Sequence, residues 1–167
     1  MKRFLLALAL GLGLLATAAL AENDDVIARW YENSGSVEPD HAWDHVVDIL
    51  LNGKVRATYC KGYAEAPPGC ATVEKQMSDD QMDAFEADVE ALMGDLAAHP
   101  PRSVPVEEMQ IGGGSLGGWI IIGGQKIDLP AEPVAADAAR VAAMLAVLQA
   151  HTPKNLVKKA QRRARQP

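Results

Sequence analysis

Histidine and aspartate recur every four residues in Asp40-His41-x-x-Asp44-His45-x-x-Asp48. Imidazole and carboxylate together suit zinc or copper. On a helix, His41 and His45 are i, i+4 neighbours and could share one ion with Asp44. On a strand the two histidines still share a face, but Asp44 and Asp48 point the other way. A metal site at His41, His45 and Asp44 therefore depends on whether this stretch is helical.

The two cysteines, Cys60 and Cys70, are a second candidate for chemistry. Nine intervening residues are far from a Cys-x-x-Cys redox geometry, and neither cysteine opens an obvious helix that would stabilise a thiolate. In an exported chain an even, small cysteine count argues for a structural disulfide. The run Gly112-Gly113-Gly114-Ser115 with Gly117-Gly118 has the composition of a phosphate loop but lacks the Walker spacing and its Gly-Lys-Ser/Thr ending. Close packing or turns at strand edges account for these glycines. No G-x-S-x-G nucleophile elbow is present. The remaining histidines, His99 and His151, stand apart near expected helix ends, where the helix dipole alone favours them. No catalytic set emerges, and no cofactor is implied.

The end of the chain is different. Lys154, Lys158, Lys159, Arg162, Arg163 and Arg165 are cations with no acid among them. All 22 acids lie after Ala21, and only eight of the 16 Lys and Arg fall within 22–153, so this body carries a formal charge of −14. An acidic body with a basic end is an informative pattern. With Leu156 and Val157, the basic tail suits contact with an anionic membrane surface or with another exported protein. It could also fold back on the acidic body, or serve only as a frayed, solubilising terminus. Nucleic acid is a poor partner for an exported, acidic protein.

Export itself is read from the first residues. Lys2 and Arg3 precede an apolar run, and Ala19-Leu20-Ala21 offers the small residues a signal peptidase needs, just before acidic Glu22. A retained anchor is the rival reading, because the run approaches spanning length. The acidic turn after Ala21 favours cleavage there and a periplasmic or secreted location. This divides the chain into a signal peptide (1–21), a single domain (22–153) and a basic tail (154–167).

The domain must position whatever chemistry there is. A short strand is expected at 26–31, then a turn at Asn33-Ser34-Gly35-Ser36. The metal stretch can be written as an amphipathic helix started by Pro39. However, Val46, Val47 and Ile49 are β-branched, and Asn52-Gly53 leads directly into alternating Val55, Ala57 and Tyr59, so a hairpin is expected. A two-residue turn would set the apolar face of one strand against the polar face of the other. A three-residue loop, Leu51-Asn52-Gly53, with left-handed Gly53, pairs Ile49 with Val55, Val47 with Ala57, His45 with Tyr59 and Trp43 with Lys61.

Cys60 and Cys70 would then pin the second strand to a third, at 71–76. A helix over 77–99 is announced by Ser78 and Gln81 as a capping box and by an apolar face of Met82, Phe85, Val89, Leu92, Met93 and Leu96. The stretch 102–109 reads as extended. Strands are expected at 119–122 and 126–129 around Gly123-Gly124, then a helix capped by Asp137 with Val141, Met144, Leu145 and Leu148 on one face. The fold class is α+β: a small antiparallel sheet with two helices packed on one face.

Three functions fit this reading. The first is a non-catalytic, exported interaction or binding module. The second is a periplasmic metal-binding protein using His41 and His45. The third is an enzyme whose site assembles from residues distant in sequence.

Overall fold

The computed structural model describes residues 25–109 and 112–166. The expected signal peptide and its cleavage point near Ala21 lie outside the described residues. Six strands form one antiparallel sheet: β1 (Val26–Asn33), β2 (Trp43–Leu50), β3 (Lys54–Lys61), β4 (Cys70–Gln76), β5 (Ser115–Ile122) and β6 (Gln125–Leu129), in the spatial order β4-β3-β2-β1-β5-β6. Three helices accompany it: α1 (Asp79–Ala98), α2 (Ala138–Ala150) and α3 (Leu156–Ala164). The fold is α+β, with one helix more than the sequence reading expects.

The β2–β3 hairpin has the register that face alternation demands. Ile49 opposes Val55, Val47 opposes Ala57, His45 opposes Tyr59 and Trp43 opposes Lys61. Gly53 takes φ +75°, a left-handed conformation that glycine adopts without a Cβ penalty. Alternate residues then point to one face. Ala28, Trp30, Val47, Ile49, Val55, Ala57, Tyr59, Val73, Ile120, Ile127 and Leu129 join the buried faces of all three helices in a single core. Helix α3 lies against β3 and β4, α2 against β1 and β6, and α1 against α2 and β6.

Helix α1 starts where its side chains say it should. Ser78 Oγ accepts from Gln81 N at 3.3 Å, and the Gln81 side chain accepts from Ser78 N at 3.0 Å. Phe85, Val89, Met93 and Leu96 are its buried stripe. Two expectations need correction. Asp137 stands at the start of α2 but makes no side-chain cap there. Its carboxylate instead accepts from Arg102 N at 3.0 Å and pairs with Arg140. The stretch 102–109 is not simply extended. Ser103 bridges to Pro133, and Val106–Glu108 make a turn of 3-10 helix. Gly117 and Gly118 lie inside β5, where close packing, one of the two expected reasons for them, applies. A Cβ on Gly118 would sit 2.2 Å from Arg29 O, so only glycine lets β5 approach β1 this closely. The tail, for which the sequence allows a partly helical or a disordered state, is helical over Leu156–Ala164. Leu156, Ala160 and Ala164 recur every four residues and are buried, which ties α3 to the sheet.

Candidate functional site

The strand at 43–50 separates the proposed metal ligands. His45 faces the core and is 6% exposed. Its ring stacks on Trp43 at 5.5 Å and meets the edge of Trp30 at 5.0 Å, while Trp43 also stacks on Tyr59. Asp44, next in the chain, points to the opposite face, and His41 is exposed in the turn before β2. The structure therefore does not bring His41, His45 and Asp44 together around one point. Among the described residues, no group of three or more His, Cys, Asp and Glu is placed to hold a metal.

His45 is still chemically unusual. Its Nε2 is buried without a hydrogen-bond partner, and Glu32 Oε2 stands 3.7 Å away. Burial pushes the imidazole below its ordinary value of 6.5, and the Glu32 carboxylate opposes that shift only in part. Burial also raises the carboxyl of Asp44 above the usual carboxylate value. Both shifts are consequences of burial, that of His45 beside the rings of Trp43 and Trp30.

Cys60 and Cys70 are bonded to each other and are direct cross-strand partners in the β3–β4 pair. The bridge closes the loop that precedes β4 and belongs to the framework.

The helix-free face of the sheet carries charge, but that charge is internally matched. Arg29 Nε donates to Asp48 Oδ1 at 2.6 Å, and Arg56 Nε donates to Glu74 Oε1 at 2.7 Å. Thr58 and Thr72 share a hydrogen bond at 2.9 Å, and Lys126 pairs with Asp128. Trp119 has the guanidinium of Arg29 at 5.8 Å and the ammonium of Lys126 at 5.4 Å from its ring centre. Cross-strand pairs of this kind stabilise a solvated sheet face by themselves.

Helix α3 is different. Lys154, Lys158, Lys159, Arg162, Arg163 and Arg165 are all exposed. Among the described residues none of them pairs with a carboxylate, although the chain holds 22 acids. Only Arg162 makes a side-chain hydrogen bond, donating from Nε to Lys158 O at 3.4 Å.

Helical spacing explains the arrangement. The stripe Leu156, Ala160 and Ala164 faces the sheet at 2%, 0% and 1% exposure. Residues 158, 162 and 165 fall on the far side, with Lys159 and Arg163 on the flank. The arrangement serves the helix only in its last turn, where Arg162 and Arg163 suit the dipole. No acid lies in the first turn, where the dipole favours one, and Lys158–Arg162 and Lys159–Arg163 are like-charge i, i+4 pairs. Each such pair costs about 0.2–0.5 kcal/mol, while burying Leu156 contributes about 2 kcal/mol.

A depression lined by Asn155, Lys158, Gln161 and Arg162 opens along this surface. A second, lined in part by Trp30, Thr152, Lys154 and Lys158, adjoins it. Trp30 Nε1 donates to Thr152 Oγ1 at 2.9 Å and fixes the link between α2 and α3.

The six cations were legible in the sequence as a cluster. Their presentation on a fixed helix was not, although the four-residue recurrence of Leu156, Ala160 and Ala164 was the available signal. No protein-family model matches this chain, and no curated protein matches it.

Proposed function

We propose that the protein is an exported, non-catalytic binding module of the cell envelope that engages an anionic partner through the outer face of α3. One observation carries this reading. Six exposed cations are unmatched by any carboxylate among the described residues, four of them on α3 and Lys154 and Arg165 just beyond its two ends, and the helix's apolar stripe is already buried. Like charges stacked at i, i+4, beside a body rich in acids that do not reach them, suit a contact outside the chain. The basic start, apolar run and Ala19-Leu20-Ala21 exit support export, and one disulfide fits an oxidising compartment.

The test is retention in the envelope of cells that export the protein. Mature protein beginning at Glu22 is expected, held on the envelope fraction and released by salt. A variant with all six cations changed to Gln keeps Leu156, Ala160 and Ala164 and is expected in the freely released fraction. Equal release of the two proteins would end this reading.

A further inference from the structure

We infer that the anionic partner is the phosphate-bearing surface of a phospholipid bilayer, on which the protein rests by α3 without inserting into it. This rests on the α3 contact proposed above and names its partner.

A protein partner is held by apolar or aromatic anchors at the centre of an interface, with charge at the rim. The outer surface of α3 has no such centre. Its exposed residues are Lys158, Lys159, Arg162 and Arg163. Large apolar side chains do reach solvent elsewhere, at Leu51, Tyr63, Val106, Met109 and Ile121, and none of them is on α3. A charged lipid surface demands no shape complement. It needs only cations spread over an accessible face, and long Lys and Arg side chains adapt to mobile headgroups.

A basic amphipathic helix ordinarily anchors by laying its apolar side among acyl chains. Here that side is already committed to the sheet, with Leu156, Ala160 and Ala164 buried. Among the described residues, moreover, no helix is long and apolar enough to cross a membrane. Attraction to headgroup phosphates is the remaining contribution, so binding is superficial and sensitive to salt.

The body 22–153, with 22 acids against eight basic residues, is repelled by an anionic surface. Helix α1 alone exposes Asp79, Asp80, Asp83, Glu86 and Glu90. The protein therefore approaches with α3 toward the lipid and its acidic surfaces turned away, as an oriented monolayer.

Mature protein is tested for co-sedimentation with vesicles of phosphatidylcholine alone and with vesicles containing added phosphatidylglycerol. A cation near an anionic surface is worth about fivefold in partitioning. Three engaged cations therefore predict about a hundredfold preference for the anionic vesicles and about a hundredfold loss in the six-Gln variant. A control with Lys126→Gln, an exposed cation on β6 at the opposite edge of the sheet from β4, should bind as wild type. High salt should abolish binding. Trp30 lines the depression beside Lys154 and Lys158, so its fluorescence reports on depth. Brominated acyl chains should leave it unquenched.

Binding to neutral vesicles, survival in high salt, or quenching by brominated chains would each overturn the inference. Absence of vesicle binding while envelope retention still depends on the six cations would also overturn it, leaving an acidic exported protein as partner and the α3 contact intact. Envelope retention that ignores the six cations would remove both.

Discussion

The buried imidazole of His45 makes a quantitative prediction about stability and pH. The folded protein holds His45 neutral below its ordinary value of 6.5, because the ring sits in an aromatic cluster with Nε2 unpartnered. The unfolded chain takes up a proton near that value, whereas the folded chain refuses it until lower pH. The contribution of neutral His45 is therefore complete above pH 6.5 and is lost as pH falls from there toward the folded value. From the titration of the unfolded chain alone, the loss between about pH 7.5 and about pH 5.5 is at most about 1.4 kcal/mol.

His45→Phe keeps a ring between Trp43 and Trp30 and removes the titration. Urea unfolding of both proteins at the two pH values gives the comparison directly. The stability difference, variant minus wild type, should grow by about 1 kcal/mol on acidification, whatever overpacking costs the variant at neutral pH. Other groups cancel in this difference. They include Asp44, whose raised carboxyl acts in the opposite sense, adding stability as pH falls through its folded value. Parallel loss of stability by both proteins would refute the claim that His45 is desolvated in the core.

Two glycines should respond oppositely to alanine, read out by thermal unfolding. Gly94 lies within α1 with nothing near its missing Cβ, so Gly94→Ala should stabilise by about 0.5–1 kcal/mol. Gly118→Ala places a Cβ 2.2 Å from Arg29 O and should destabilise by about 2–3 kcal/mol as β1 and β5 part. Reducing the Cys60–Cys70 bridge should lower stability by about 3 kcal/mol on the chain-entropy model, measured as the shift in urea midpoint with and without reductant. Arg140 Nη1 donates to Asp95 Oδ2 and to His99 O, each at 3.0 Å, and the guanidinium also pairs with Asp137. Arg140→Ala should therefore speed amide exchange in the last turn of α1 and leave the first turn, capped by Ser78, unchanged.

Asp137 supplies an acid-side counterpart. Hydrogen bonds from the Arg102 backbone and the Arg140 side chain hold its carboxyl below the usual 3.8. Its contribution is present above that value and is lost as pH falls through the folded one. Asp137→Asn should lessen the loss of stability below about pH 4, measured by acid titration of ellipticity.

Features settled by neighbours in the chain could be read before any fold was known. The bulged turn at Gly53 and the register it imposes on Val47, Ile49, Val55 and Ala57 follow from the period-two alternation of side chains. The capping box at Ser78 and Gln81 closes within four residues. The bridge between Cys60 and Cys70 needed only that hairpin and an adjoining strand.

Other features waited on contacts between distant segments. Sequence placed His45 on the apolar face of its strand, but only Trp30, arriving from β1, shows how completely that face is covered. Asp137 has the residue type of a helix cap, yet the approach of Arg102 claims its carboxylate. The tail was composition until β3 and β4 received Leu156, Ala160 and Ala164. Local patterns decide which way each side chain points, because backbone geometry repeats over two to four residues. What that side chain meets is decided by strand order and helix docking, which only the assembled core supplies.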